Sequence, residues 1–193
     1  MKKLTPADLY TLEAYARERV AFRSRVLAHK QPRVLHLGSH LTFVFEDSLT
    51  IQYQVQEILR VERIFEPGGI AEELEAYNPL IPDGSNLKAT MLIEYPDADE
   101  RTRKLVELHG IESRVLLQVG ETAPIPAIAD EDLPRSTDTK TSAVHFLRFE
   151  LSGDQVAAWR DGADVALSVD HPAYGARQSL NAAARAAIGA DFE

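Results

Sequence analysis

The chain has 193 residues, of which 45% are hydrophobic, so it is long enough to bury a substantial core as a single domain. Its 30 acidic and 21 basic residues give a net charge of -9. That balance argues against nonspecific nucleic-acid binding, because such binding depends on clustered Lys and Arg. The sequence contains no cysteine, which excludes disulfides, thiolate-ligated zinc, iron–sulfur clusters and a cysteine nucleophile.

The first 33 residues are basic, with eight Lys or Arg against Asp8, Glu13 and Glu18. Thr5 as an N-cap and Pro6 at the first helical position predict a helix from Thr5 to about Ala28. Residues 1–30 therefore form a basic amphipathic helix that suits anionic lipid or an acidic partner, although packing across the acidic remainder of the same chain is favoured. Its predicted buried stripe consists of Leu9, Leu12, Ala16, Val20 and Leu27.

The N-terminal sequence lacks the continuous apolar core of a signal peptide. No run approaches the roughly 20 apolar residues that a membrane span requires. We therefore expect a cytoplasmic protein without a membrane span.

Two extended runs, Arg33 to Leu37 and Leu41 to Glu46, are joined by Gly38-Ser39 and predict a hairpin. The next segment is ambiguous. Polar and apolar residues alternate from Thr50 to Gln56 as in a strand, whereas over the longer segment the apolar residues recur at the spacing of a helix. The helix-forming tail EILRVER favours a helix, with Asp47 or Ser48 as its cap. The apolar arc of this helix consists of Ile51, Val55, Ile58, Leu59 and Phe65, and Glu62 falls in its middle, which predicts a buried carboxylate.

The remaining pattern alternates helices and strands. Leu87 to Tyr95 is apolar on both faces, so we expect it to be a central strand. Glu121 to Thr141 has three prolines and no periodicity, which predicts a long loop or lid, with disorder as the alternative. The fold predicted is α+β, a single domain with a mixed or mostly antiparallel sheet covered by helices. The other expected elements are helices at 70–77, 97–109, 154–160 and 177–188 and strands at 114–119, 143–151 and 163–169.

Four segments resemble a bacterial family defined only as a domain of unknown function. They are FEDSLTIQYQVQEILRVERIF, EELEAYNPLIPDGSNLKATMLIEY, TSAVHFLRFEL and VDHPAY, and together with their surroundings they extend the resemblance over most of the chain. The resemblance implies genes encoded beside rubrerythrin-like di-iron proteins and heterodisulfide-reductase-like iron–sulfur proteins, and hence redox partners of these kinds. It supplies no catalytic residues, so the site is argued from its chemistry.

Scattered carboxylates and imidazoles predict a metal site. Carboxylates combined with one or two imidazoles suit iron or manganese. No HExxH, ExxH or EF-hand spacing occurs, so ligands would come from distant segments. Ion pairing of an acid with a nearby Arg and an ordinary hydrogen-bonded core histidine are the alternatives. The candidate metal ligands are Glu46, Glu62, Glu94, His145 and His171.

Amides and an arginine predict a second kind of site, for a small ligand that bears a carboxylate or an amide. The candidates are Gln52, Gln56, Glu57, Asn78 and Arg148. An ordinary amide ladder and a helix-stop role for Asn78 are the alternatives.

Two functions follow from these candidates. The favoured one is an accessory or binding protein whose buried polar pocket holds a small ligand or a metal for redox or iron proteins. The alternative is an iron- or manganese-dependent enzyme in which Glu62, Glu94 and His145 are ligands and the loop over 121–141 covers the site. No GxSxG elbow and no phosphate-loop pattern occurs, so the sequence supports neither serine hydrolase chemistry nor nucleotide binding. An exposed apolar patch would allow a homodimer.

Overall fold

The hairpin predicted around Gly38-Ser39 opens the first of two antiparallel sheets in the computed structural model, which describes residues 2–192. Within these residues the strands are β1 (Val34–Leu37), β2 (Leu41–Glu46), β3 (Asn86–Ile93), β4 (Val115–Val119), β5 (Ile125–Pro126), β6 (Ile128–Ala129), β7 (Val144–Glu150), β8 (Val165–His171) and β9 (Tyr174–Ser179). The helices are α1 (Leu12–Lys30), α2 (Ser48–Glu62), α3 (Pro67–Tyr77), α4 (Ala98–Glu107), α5 (Gly153–Arg160) and α6 (Ala182–Gly189).

The first sheet has the order β1-β2-β3-β7-β6 and the second has the order β5-β4-β8-β9. Every strand pair among the described residues is antiparallel, which confirms the predicted α+β class. The apolar strand β3 lies third of five in its sheet, so the prediction of a central strand is also confirmed.

The main core lies between the inner faces of the two sheets. Side chains alternate along each strand, so every second residue of the first sheet points into this core. Each such aromatic or aliphatic side chain contributes about 1.5–3 kcal/mol when it is withdrawn from water. Fully buried examples are Phe43, Phe45, Leu87, Met91 and Phe149. The outer face of the same sheet is mixed and carries Glu46, Lys88, Thr90, Phe146 and Arg148.

The edge strands β1 and β9 are joined by a tyrosine. The hydroxyl of Tyr174 donates to the backbone oxygen of Leu37 at 2.6 Å. The hairpin residue Gly38 has φ of +68°, and a Cβ at this position would overlap the Tyr174 hydroxyl. Glycine is therefore required here both for the backbone conformation and for the close approach.

The helices α1 to α3 form two further apolar clusters. Tyr15, Phe22 and Val26 of α1 are buried, with Tyr10 and Tyr53 packed against them. The predicted stripe of α1 is therefore partly wrong, since Val20 is 81% exposed and Leu27 is also exposed. The helix begins at Leu12 rather than at Thr5, because the Thr5 capping box serves a single 3₁₀ turn.

The predicted helix after the hairpin is confirmed as α2, with Asp47 as its N-cap. Ile51, Val55 and Leu59 are buried as expected. Glu62 is exposed, which corrects the prediction of a buried acid. The reason is that α2 ends at Glu62 and Arg63 turns the chain through a left-handed conformation with φ of 57°, so the apolar arc does not continue to Phe65.

Two other predictions needed correction. The expected helix at 177–188 is replaced by strand β9 followed by α6, which begins after the N-cap Asn181. The expected loop at 121–141 contains the two short strands β5 and β6 before it becomes irregular.

A buried ion pair ties the start of the first sheet to the last helix. The Arg33 guanidinium binds Asp191 through two bonds of 2.9 and 2.6 Å and approaches Asp47 at 3.2 Å. It also donates to the backbone oxygen of Ala187 at 2.8 Å. All three charged side chains are nearly inaccessible to solvent.

None of the helices within residues 2–192 combines the length and the apolar character that crossing a bilayer requires.

Candidate functional site

A cavity of about 250 Å³ opens on the outer face of the first sheet, where β3 and β7 lie side by side. One wall is the Pro79-Leu80 turn that follows α3, and the opposite wall is the start of the irregular loop at Glu131-Asp132. The floor is formed by residues of the two strands. They are Lys88, Phe146, Leu147 and Arg148.

Lys88 is the distinctive residue of this cavity. Its ammonium forms no hydrogen bond or ion pair with any residue in the range 2–192, although the side chain is about half withdrawn from solvent. Burial lowers the pKa of Lys88 below its ordinary value of 10.5, and the positive charge of Arg148 lowers that pKa further. An uncommitted amine at the floor of a partly apolar cavity is available to a ligand.

Arg148 is committed to protein partners. Its Nε and Nη2 donate to the two carboxylate oxygens of Glu131 at 2.7 and 2.8 Å, and its Nη1 donates to Glu150. The bidentate bond to Glu131 raises the pKa of Arg148, and the same bond lowers the pKa of Glu131. Arg148 therefore fixes the cavity wall that Glu131 and Asp132 form, because it binds Glu131.

The opposite wall is held by the N-terminal segment. Lys3 Nζ donates to the backbone oxygens of Asn78 and Ile81 at 2.8 and 2.7 Å. The Asn78 side chain accepts from the backbone N–H of Leu4 at 2.8 Å and donates to the Leu4 oxygen at 3.0 Å. The predicted ligand residue Asn78 thus fixes the turn that carries Pro79 and Leu80.

The loop wall is anchored through Arg135 and Asp130. The Arg135 guanidinium lies 4.3 Å from the centre of the Phe146 ring, a cation–π contact, and pairs with Asp130 at 3.3 Å and with Asp132. Asp130 has φ of 51°, an unusual conformation for a residue with a side chain. Its Oδ1 accepts from the Phe146 backbone N–H at 3.1 Å, which fixes this strained residue against β7.

Behind the loop lies His145, which is completely buried. Its Nδ1 donates to Asp130 Oδ2 at 2.6 Å. Its Nε2 lies 2.7 Å from Thr141 Oγ1 and 3.1 Å from the backbone oxygen of Ser142. The ring therefore connects the beginning of the irregular loop to its end.

Glu112 completes this network. Ser136 Oγ donates to one carboxylate oxygen at 2.8 Å and Thr141 Oγ1 donates to the other at 3.0 Å. Because Thr141 Oγ1 donates its proton to Glu112, it acts towards His145 Nε2 as an acceptor, as does the backbone oxygen of Ser142. Burial is the largest single influence on the pKa of Glu112 and acts to raise it. Hydrogen bonds from the Glu112 backbone, Ser136 and Thr141, together with the charge of His145, outweigh burial, so the pKa is lowered.

The five residues predicted as metal ligands lie at separate positions. Glu46 is 3% exposed and accepts from Thr90 Oγ1 at 2.7 Å, while its other carboxylate oxygen has no partner in the described chain. Glu94 is exposed and accepts from Thr42 at 2.5 Å. His171 contacts the backbone oxygen of His109 at 3.1 Å.

Glu62 is exposed at the end of α2 and His145 belongs to the loop network described above. Residues 2–192 contain no group of three or more His, Asp or Glu side chains arranged to hold a metal ion. The five proposed ligands therefore do not form a shared site, and iron or manganese binding stays a prediction.

Three of the predicted ligand residues instead attach the N-terminal segment to α2. Gln52 donates to the Asp8 oxygen at 2.5 Å, and Gln56 accepts from the Tyr10 backbone N–H at 2.5 Å. Glu57 accepts from the Arg19 guanidinium at 2.7 and 2.8 Å and from the Tyr15 hydroxyl at 2.7 Å. The bond from Arg19 is the main reason why the pKa of Glu57 is lowered to about 2.

Residues 3–192 match the family described as "Protein of unknown function (DUF3501)". The chain belongs to this family. A crystal structure of a novel protein of unknown function from Burkholderia pseudomallei is 48% identical, with 100% of both chains covered and a TM-score of 0.95. The Burkholderia pseudomallei protein therefore has the same two-sheet fold as this chain. No curated protein matches the chain.

Sequence reasoning found Arg148 but missed Lys88, Leu80 and Phe146, which also line the cavity. The available signal was Lys88 itself, a single cation inside the otherwise apolar and small-residue strand NLKATMLI. Its register opposite Arg148 depends on strand pairing that the sequence does not display.

Proposed function

We propose that this chain is a binding protein for a small, largely apolar molecule with one polar head group, either a carboxylate or a carbonyl. The observation that supports the proposal is the half-buried Lys88 ammonium, which lines a cavity and has no partner within residues 2–192. A ligand head group that accepts a hydrogen bond would supply the missing partner.

The lining of the cavity indicates the rest of the ligand. Pro79, Leu80 and Phe146 offer apolar surface, which suits a hydrocarbon body. Arg148 is already paired with Glu131 and Glu150, so Lys88 is left as the cation that can recognise the head group. The volume of about 250 Å³ matches a molecule of a few carbon atoms rather than a nucleotide or a peptide.

Calorimetric titration with hexanoate and with hexylamine tests the proposal, since these probes share a six-carbon body and differ in the charge of the head group. We expect hexanoate to bind with a Kd of about 1 mM, the range for so small a ligand, and hexylamine not to bind. Lys88→Met should weaken hexanoate binding by about tenfold or more, because a charge-assisted hydrogen bond is lost.

Lys140→Met is the matched control. Lys140 is an exposed lysine at the end of the irregular loop, and it does not line the cavity. Equal binding of hexanoate by wild type and Lys88→Met would contradict the proposal.

The partners suggested by the family resemblance form a second part of the proposal. Rubrerythrin-like and iron–sulfur proteins would supply the redox centres that a chain without cysteine cannot hold through thiolates. Gel filtration of the purified protein mixed with such a partner tests this, and sedimentation of the protein alone tests the predicted homodimer.

A cytoplasmic location stays a prediction. Elemental analysis of untagged protein is the direct test of the iron- or manganese-dependent alternative.

A further inference from the structure

We propose that Lys88 forms an imine with an aldehyde or ketone that enters the cavity on the outer face of the first sheet. This inference rests on the proposed function and specifies the head group of its ligand as a carbonyl. Binding then includes a reversible covalent step at a named nitrogen atom.

The placement of the amine is the first argument. A lysine that forms an imine must keep its nitrogen free of protein acceptors and must face a space large enough for the carbonyl compound. Lys88 meets both conditions within residues 2–192, whereas Lys3 and Lys104 are each bound to protein oxygens.

The electrostatic setting is the second argument. Lys88 is in register with Arg148 of β7 on one side and with Glu46 of β2 on the other, so one of its two cross-strand neighbours is a second cation. The Glu46 carboxylate accepts from Thr90 and forms no ion pair with Lys88 among the described residues. Burial is the main cause that lowers the pKa of Lys88. The charges of Arg148 and Lys3 also lower it, those of Glu131 and Asp83 raise it, and the net lowering increases the fraction of neutral, nucleophilic amine at neutral pH. Arg148 stays charged because Glu131 and Glu150 bind it, so its effect on Lys88 persists.

The charge balance of the cavity is the third argument. Glu131 and Asp132 also line it, and each is already paired with an arginine. The lining charges of Lys88 and Arg148 balance those of these two acids, so the cavity offers no strong excess of positive charge for a multiply charged anion. An uncharged carbonyl is not repelled by the two carboxylates.

The chemical step needs no further reactant. The ammonium of Lys88 first loses a proton to solvent at the open side of the cavity. The nitrogen lone pair then attacks the carbonyl carbon, a C–N bond forms, and proton transfer gives a carbinolamine. Loss of its hydroxyl with a proton as water leaves the imine, and addition of water reverses the sequence.

Reductive trapping tests the inference directly. Wild-type protein is incubated at neutral pH with hexanal and sodium cyanoborohydride, and the modified lysines are quantified by peptide mass spectrometry. Lys140 serves as the control inside the same molecule because it is exposed. We expect Lys88 to be alkylated about tenfold faster than Lys140, since burial lowers the pKa of Lys88 and the cavity holds the aldehyde beside it.

Three outcomes separate this inference from the proposed function. Preferential alkylation of Lys88 supports the imine. Binding of hexanoate together with alkylation of Lys88 no faster than that of Lys140 overturns the imine and leaves the binding protein in place. Absence of both hexanoate binding and preferential alkylation overturns both proposals.

Arg148→Met provides a second readout, in which Arg148 acts as a positioning residue. Removal of its charge raises the pKa of Lys88, so the pH profile of trapping should move to higher pH. A reduction of trapping at every pH by the same factor would indicate a purely structural role for Arg148 and would overturn the electrostatic argument. Arg177→Met, on the exposed strand β9, is the matched control and should leave the profile unchanged.

Discussion

Lys88 and Arg148 are cross-strand partners on β3 and β7, with their Cα atoms paired in the sheet register. Like charges in directly opposite positions destabilise an antiparallel pair. The fold binds Arg148 to Glu131 and Glu150, whereas Lys88, which also lies opposite Glu46 of β2, forms no ion pair with any residue in the range 2–192. Positions where a fold gives up stability in this way are often positions that serve binding or catalysis.

Replacement of Lys88 by Met should therefore stabilise the protein while it removes ligand binding. We expect the free energy of unfolding at pH 7 to rise by up to about 1 kcal/mol, because a desolvated charge is replaced by an apolar side chain of similar length. The pKa of Lys88 is lower in the folded state than in the unfolded state, so wild-type stability gains from this residue as the pH rises towards 10.5. Urea titrations from pH 7 to pH 10 should show that slope in wild type and its loss in the variant.

Glu57 should make the stability of the protein dependent on acid pH. Its pKa of about 2 lies below the ordinary value of 4.5, so its contribution is fully present above pH 4.5 and is lost as the pH falls towards 2. We expect Glu57→Gln to cost about 1 kcal/mol at pH 7 and progressively less below pH 4.5. Glu75→Gln, on the exposed side of α3, should show neither effect. A constant difference at all pH values would disprove the assignment.

Glu112 should hold the end of the irregular loop against the core. Glu112→Ala removes the acceptor for Ser136 and Thr141 and leaves His145 with one carboxylate partner. We expect faster cleavage by trypsin after Arg135 and Lys140 and a stability loss of about 1–3 kcal/mol. Glu121→Ala, an exposed acid of the same region, is the control, and unchanged cleavage kinetics in Glu112→Ala would refute the anchoring role.

Arg33 should be essential for the attachment of α6 to the first sheet. In Arg33→Met, Asp191 stays buried without its cation and Asp47 keeps only its contact with His29, so we expect a loss of about 3–5 kcal/mol in thermal or urea unfolding. Arg23→Met, at an exposed position of α1, should change stability by less than about 0.5 kcal/mol. Similar melting curves for the two variants would contradict the role of the ion pair.

Gly38→Ala should destabilise the hairpin for two reasons that one further variant separates. The positive φ of Gly38 disfavours any side chain, and the added Cβ would overlap the hydroxyl of Tyr174. We expect a loss of about 1–3 kcal/mol. Tyr174→Phe alone loses the hydroxyl's bonds to Leu37 and His40, so Gly38→Ala is compared between the wild-type and the Tyr174→Phe backgrounds. It should cost less in the Tyr174→Phe background by the part due to overlap. An equal cost in both backgrounds would assign the whole effect to the backbone.

The elements that the sequence predicts correctly have local signals. The Gly38-Ser39 turn, the Asp47 cap and the apolar strand around Leu87 each depend on residues close to one another in the chain. The buried face of α1 has no such signal, because Val20 and Leu27 form one apolar stripe and Tyr15, Phe22 and Val26 form another. The aromatic neighbours Tyr10 and Tyr53 decide between the two stripes, and that contact is tertiary.

The candidate site was harder to predict for the same reason. Glu62 lies on the predicted apolar arc, but the left-handed turn at Arg63 ends α2 and leaves the carboxylate in solvent. Strand β9 was missed because its exposed, polar Arg177-Gln178-Ser179 end gives no apolar alternation. The cavity residues Lys88 and Leu80 become neighbours only through the pairing of the strands and the position of the turn after α3.

The bond from Lys3 to Ile81 joins groups 78 residues apart in sequence and supports the turn that carries Leu80. Such a contact requires the chain to close a large loop, which costs entropy. The cavity is therefore completed only when the chain has folded as a whole. A ligand bound there therefore stabilises only the fully native state. The increase in melting temperature grows with the logarithm of the ratio of free ligand concentration to Kd.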